Sequence, residues 1–432
     1  MKEEFLQYVW GQRLYRSAMQ TTTQGVAIEV INPGRLNADS GPDFFNAQIR
    51  VGGMTWAGNV EIHQTSDDWY RHGHEKDAAY DNVVLHVVGR STGREIFTSK
   101  GELVPEVVLD YDKVLLSRYE ELMERGGVGF VRCADVVGDV PEVEKRAWLD
   151  ALLVERLAAK SGRALELLEL YGGDVDQVFF CLLARALGGK VNGEPMEALA
   201  RRTPLKVLLK HSGELQTEAV LLGQAGLLST TKGEDEYVAK LRREYDFLSI
   251  KFGLEAMDGS VWKYARLRPQ NFPDIRIVQL AAIVRAMRGN FGCYLGMALD
   301  KIWAVGPSEY WDTHYRLGVL SGLLKNKMLG SAMRRLIVVN CIVPFAMAES
   351  ERYGDEKKKE MAVEMLRAMD VEQNSVLEGW KNVGIVGEDE CDAQALIYLK
   401  GKYCDGGECL RCRFGHWAVG RGMLPIGFRR FV

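Results

Sequence analysis

The chain predicts an α+β protein: a small mixed β-sheet at the N-terminus followed by a large all-α region. Two observations carry this. Residues 26–110 alternate polar and apolar side chains with the period of strands, and turn signals interrupt them. From about residue 141 the apolar spacing lengthens to that of amphipathic helices. Charge is also unevenly spread: residues 1–135 carry 14 Lys+Arg against 20 Asp+Glu, while residues 401–432 carry six against two.

The elements follow in order. Phe5, Tyr8, Val9, Leu14 and Tyr15 recur near the helical period, so the chain opens on a helix. Val26–Ile31 reads as a strand that stops at Asn32-Pro33-Gly34. Phe44–Val51 alternates again, Gly52-Gly53 offers a hairpin turn, and Thr55–Gln64 returns. Asn82–Val88 is apolar and β-branched, as for a strand covered on both faces. Ile96–Leu109 adds edge strands. A glycine-rich loop near 125–142 precedes the helices, which begin with the long stretch 143–170. A chain of 432 residues exceeds one ordinary core. The expected domains are 1–135, a helical region of one or more domains over 136–390, and a cysteine-rich element over 391–432.

Composition narrows the classes. With 47% hydrophobic and 26% charged residues the chain is globular rather than disordered. No uninterrupted apolar run reaches the ~18 residues of a membrane span, and the N-terminus lacks an apolar signal core, so a cytoplasmic protein without a membrane partner is expected. No Walker or Rossmann glycine pattern occurs. Gly89–Gly93 matches a nucleophile elbow, but strand-like sequence follows where a helix should, so it reads as a turn.

The chemistry concentrates between residues 43 and 86. Four of the seven histidines lie from His63 to His86, interleaved with carboxylates. If Gly52-Gly53 closes a hairpin, Asp43 lies opposite Glu61 and His63, which share a strand face at i and i+2. The three side chains would then converge on Mg²⁺ or Mn²⁺, which favour oxygen ligands and activate water against phosphodiesters. Glu29 on the first strand or Glu4 on the first helix could add a carboxylate. His72 and His74 follow in a polar segment with Ser66 as helix cap, and Asp77 and Asp81 could orient an imidazole. The plainer readings are a turn aspartate with a satisfied polar pair, solvated loop residues, and His86 as a hydrogen-bonded core histidine.

Pro42-Asp43 followed by Glu61-Ile62-His63, in the order helix, strands, helical segment, strand, resembles the PD-(D/E)XK nuclease superfamily over about residues 1–110. The resemblance implies a restriction-endonuclease-like sheet with Asp43, Glu61 and His63 as catalytic and metal-binding residues. His63 stands where that superfamily has lysine. The phrases Ser40–Asn46, Gly58–His63 and Tyr80–His86 also resemble an uncharacterised family of bacterial, Bacteroides-like proteins, which implies no activity.

Two further features stand outside this segment. Cys404, Cys409 and Cys412, with Cys391 or His416, have spacing that suits a structural zinc site; an iron–sulfur cluster and plain reduced thiols are the alternatives. Cys133, Cys181, Cys293 and Cys341 read as reduced core residues. Lys263, Arg266, Arg268 and Arg276 interleave with Trp262, Tyr264 and Phe272, as for contacts to DNA or RNA; the alternative is an arginine-rich turn tying helix ends together. The expected function is a metal-dependent nuclease or nuclease-like nucleic-acid-processing protein. The alternative is a catalytically degenerate scaffold acting as a protein- or nucleic-acid-binding adaptor.

Overall fold

A computed structural model of the chain describes residues 2–37, 39–51, 53–125, 129–232, 235–287 and 304–421. Gly52, Arg288 and Cys293 lie outside them. The architecture is α+β, an N-terminal mixed sheet followed by a largely helical region.

The chain folds into two compact units. The sheet unit comprises Met1–Leu152, Gln373–Gly387 and Ala395–Val432, and the helical unit comprises Leu153–Glu372 and Glu388–Gln394. Most of the cysteine-rich tail therefore belongs with the sheet rather than standing alone. The Tyr8 hydroxyl donates to the His416 carbonyl at 3.3 Å, and Arg118 donates to the Val419 carbonyl at 3.4 Å. The Trp380 indole donates to the Leu396 carbonyl at 3.0 Å, tying the returning segments to each other.

In the sheet unit, α1 (Glu3–Gly11) precedes the strands β1 (Met19–Thr21), β2 (Ala27–Asn32), β3 (Arg35–Leu36), β4 (Phe44–Val51) and β5 (Met54–Thr65). A short α2 (Asp68–Arg71) and two single turns lead to β6 (Val83–Arg90), then β7 (Ile96–Phe97), β8 (Leu103–Val104) and β9 (Glu106–Val108). The main sheet runs β1-β2-β4-β5-β6-β9, with β3 alongside β4. The pairs from β1 to β5 are antiparallel, and β5-β6 and β6-β9 are parallel. Thr22 bridges Val107, and the Thr23 amide donates to the Glu106 carbonyl at 2.8 Å, so the two edges meet and the sheet nearly closes. Near-closure hides the edge strands from outside pairing. Burying Phe5, Leu6, Val9 and Trp10 packs α1 on this sheet.

The Val51↔Met54 pairing closes the β4–β5 hairpin. A bulge between Phe44 and Ala47, with Asn46 at φ 58°, shifts the register from 47↔58 to 44↔60. Continued without the bulge, the pairing would set Asp43 against Ile62. With it, Asp43 falls opposite Glu61.

The helical unit includes Val175–Arg202, broken at Gly189, and the helices Glu214–Gln224, Glu236–Phe252 and Pro273–Met287. The helical stretch Ser331–Tyr353 is long and apolar enough to cross a membrane, and 56% of its most apolar window is buried, as in a core helix.

Candidate metal centre

Three elements deliver carboxylates to one place. Asp43 precedes β4, Glu61 sits on β5, and Glu3 occupies the first turn of α1. The Asp43 amide donates to Glu61 Oε2 at 3.0 Å, and the Ile62 amide donates to Asp43 Oδ2 at 3.0 Å, so backbone and side chains lock the two acids together. Gln7, one helical turn after Glu3 on α1, donates to Asp43 Oδ1 at 2.8 Å. Burial, then the charge of Glu61, pushes the Asp43 carboxyl up to about 7. Burial, with the field of Glu3, pushes Glu61 up to about 8 against the hydrogen bond from Asp43. Burial and Asp43 likewise raise Glu3. Neither Asp43 nor Glu61 has a lysine or arginine within 4 Å among the described residues. These acids therefore crowd one another in a low-dielectric setting without a counter-ion from the protein.

Imidazoles complete the cluster. His63 Nε2 lies 3.4 Å from Glu61 Oε1, and His74 Nε2 lies 3.3 Å from the same oxygen. His74 Nε2 is buried yet makes no aligned hydrogen bond. His63, His72 and His74 each present a ring nitrogen within 4.8 Å of the other two. His72 is exposed while His63 and His74 are buried, so the cluster opens to solvent on the His72 side. His74 stacks on Tyr80 at 3.7 Å between ring centroids, which holds its ring in place.

A hydrogen-bonded chain sets the tautomers. His72 Nδ1 lies 3.1 Å from His63 Nε2, His63 Nδ1 lies 2.8 Å from His86 Nε2, and His86 Nδ1 lies 3.1 Å from Glu106 Oε2. Burial would raise Glu106, but bonds from His86, Ser91 and Ser66 hold it below its ordinary value, so it is ionised. An ionised Glu106 only accepts, so His86 donates from Nδ1 and accepts at Nε2. His63 then donates from Nδ1, leaving a lone pair on Nε2 beside Glu61. Burial, then the neighbouring histidines, drives His63 down to about 2, which keeps this ring neutral. Burial also lowers His74 and His86.

Asp43 and Glu61 are joined through the bulge, Glu61 faces His63 and His74, and the ring nitrogens gathered within 4.8 Å of one another are those of His63, His72 and His74. Glu29 stands apart. The β2–β4 register sets it opposite Arg50, to which it is bonded at 2.6 Å on the outer face. Asp77 caps its own turn through the Ala79 amide at 2.9 Å and reaches His74 only as a nearby negative charge. Asp81 accepts from the Ser99 amide and hydroxyl. Glu4 accepts from the Tyr119 hydroxyl at 2.7 Å, and the helix carboxylate at the site is its neighbour Glu3. Glu3 and Gln7 share a helix face at i and i+4, the one sequence signal that singles them out. Glu106, absent from the sequence-derived set, lies on β9 in register with His86, a pairing that no local pattern announces.

Elsewhere, Cys391 belongs to the helical unit, its thiol facing the Val363 carbonyl at 3.8 Å. His416 Nε2 donates to the Leu410 carbonyl at 2.6 Å, which occupies it. Of the basic segment, Lys263, Arg266 and Arg268 are exposed. Arg276 is buried, donating to Gln279 at 2.7 Å and Asn271 at 2.6 Å, so it is a structural residue rather than a phosphate contact. Trp262 is buried as well, its indole bonded to the Ala225 carbonyl at 2.8 Å, and offers no stacking face.

No curated protein and no solved structure matches this chain. A family model described as "Protein of unknown function (DUF2851)" matches residues 3–375, and the chain belongs to that family.

Proposed function

We propose that the sheet unit holds a divalent cation and hydrolyses a phosphodiester, as a metal-dependent nuclease or nuclease-like nucleic-acid-processing protein. The observation that carries this reading is the buried Glu61 and half-buried Asp43 beside the histidine cluster, with no lysine or arginine within 4 Å of either acid among the described residues. Proteins seldom bury such a set unless protons or a metal compensate it. Asp43, Glu61 and His63 would hold the ion, with Glu3, His72 and His74 at its margin. A divalent ion bound there supplies Lewis-acid polarisation of a phosphoryl oxygen and a lowered water pKa.

The chain's own residues do the rest. Glu106 and His86 fix the lone pair of His63 toward the site, as a carboxylate beyond a ligating histidine does. Asp43 is oriented by Gln7 and the Ile62 amide. The exposed His72 leaves the cluster open to solvent. Because His63 replaces the superfamily's lysine with an imidazole ligand, Mn²⁺ should serve better than Mg²⁺. The motif Pro42-Asp43…Glu61-Ile62-His63 and the order α1, antiparallel strands, α2, then β6 parallel to β5 support a nuclease over other phosphoesterases. Lys263, Arg266 and Arg268 remain candidates for gripping DNA or RNA.

A second reading, the degenerate adaptor, is favoured by the engagement of both Asp43 oxygens by protein donors. Cleavage assays on plasmid DNA and on RNA separate the two. Chelator-sensitive cleavage that vanishes in Asp43→Ala and Glu61→Ala supports the enzyme. Retained nucleic-acid binding with no cleavage under Mn²⁺, Mg²⁺ or Zn²⁺ leaves the adaptor.

A further inference from the structure

We infer that Cys133, Cys404, Cys409 and Cys412 form a four-thiolate site for a single zinc-class ion that fastens the C-terminal tail to the sheet unit. The four cysteines line one cavity of about 20 Å³ together with Arg132 and Gly415. All four are free thiols. They come from two places about 270 residues apart in sequence: Cys133 from the turn before the long helix, the others from the tail. The cavity volume is that of one small atom. It accommodates a lone ion. Four thiolates satisfy the tetrahedral preference of zinc.

Ordinary packing of reduced cysteines would need none of the local detail found here. Cys412 stands at the N-terminus of the helix Arg413–Gly420. Arg132 lines the same cavity as Cys409. A helix N-terminus and a cation both stabilise a thiolate rather than a thiol. The backbone is folded tightly to permit this: a Cβ on Gly415 would sit 1.9 Å from the Cys409 carbonyl oxygen, and Gly407 holds φ at 73°. Metal binding displaces the thiol protons outright. The loop so closed spans most of the chain, which is where a cross-link removes most entropy from the unfolded ensemble. This inference stands apart from the phosphodiesterase reading, because none of its ligands belongs to the histidine cluster.

The test uses the full chain and begins with the unaltered protein. Elemental analysis should find zinc, and X-ray absorption at the zinc edge should contain a sulfur-only shell at about 2.3 Å. Glu61→Gln should keep that shell, whereas Cys409→Ser and Cys133→Ser should lose it. Cys391→Ser should bind zinc as the unaltered protein does. Should Cys133→Ser fail to fold, the sulfur-only shell in the unaltered protein still decides the matter. Absence of metal, iron with acid-labile sulfide, or a mixed nitrogen–oxygen shell that persists in Glu61→Gln each overturns the inference.

Discussion

The acid pair Asp43 and Glu61 of the sheet unit is held differently from three deeply buried acids of the helical unit. In the helical unit the deeply buried carboxylates of Glu197, Glu390 and Glu218 all have strong donors. Glu197 binds Arg163 and also Arg185 at 3.0 Å. Glu390 binds Arg335 and accepts from Gln394 at 2.9 Å. Glu218 accepts from the Tyr237 hydroxyl, the Trp311 indole and the Ser308 amide within 2.9 Å. In the sheet unit, Asp43 and Glu61 face each other, Glu61 faces His63 and His74, and the donors to Asp43 are Gln7 and the Ile62 amide. Burial alone is thus no sign of function. Two acids set against each other without a cation beside them are the informative case.

The largest expected effect follows from reversing the two situations. Glu197→Gln strips a charge from two arginines and should lower stability by about 2 kcal/mol. Glu61→Gln should leave the metal-free protein as stable or more so at pH 8, because its amide can still accept from Asp43 and can donate to His63 Nε2. The same substitution should abolish stabilisation by Mn²⁺. Denaturant unfolding of both variants, with EDTA and with Mn²⁺, measures all of this. A matching loss from both substitutions in EDTA would erase the contrast between the units.

Acidity sharpens it. Asp43 near 7 and Glu61 near 8 keep protons in the folded state that the unfolded chain releases near pH 4. The stability these protonated groups contribute is full below the unfolded values and is lost as pH rises through 7 to 8. A cation replaces those protons, so the rise in melting temperature with Mn²⁺ should be small at pH 6 and large at pH 8. Burial would raise Glu197, yet Arg163 and Arg185 hold it below its ordinary value. Its contribution instead fades only as pH falls into the acid range. Melting curves from pH 5 to 8 distinguish the two signs.

A smaller effect should attend Glu106→Gln. The amide can donate to His86 Nδ1, turning that ring over and putting the proton of His63 on Nε2. The lone pair facing Glu61 is then lost, and metal affinity should drop about 10- to 100-fold. The nitrogen shifts of the imidazoles in NMR report the tautomers, so a loss of affinity with the tautomers unchanged would contradict this role for Glu106.

What the sequence discloses tracks the range of the physics involved. The β4–β5 hairpin follows from a period of two and a glycine turn, both local, whereas setting Asp43 beside Glu61 also takes the bulge at Asn46, which the alternation does not announce. Glu3 stays hidden because choosing it over Glu4 requires knowing which face of α1 meets the sheet. Glu106 requires the parallel β6–β9 register, set by non-local pairing. Cys133 looks like a core thiol because its partners are about 270 residues away. Arg276 misleads because arginines that bind phosphate and arginines that fasten turns share one pattern, and only its bonds to Asn271 and Gln279 tell them apart.

Glu29 supplies the smallest prediction and a control for the rest. It is an acid on the same sheet, by sequence as eligible a ligand as the others, but its partner Arg50 already balances it in partly exposed surroundings. Such pairs contribute little, because solvent screens them and two flexible side chains must be held. Glu29→Gln should therefore change stability by no more than about 0.5 kcal/mol and leave Mn²⁺ stabilisation untouched at every pH. A Mn²⁺ response that falls in Glu29→Gln as far as in Glu61→Gln would mean that general sheet acidity, rather than the uncompensated pair at Asp43 and Glu61, governs the ion.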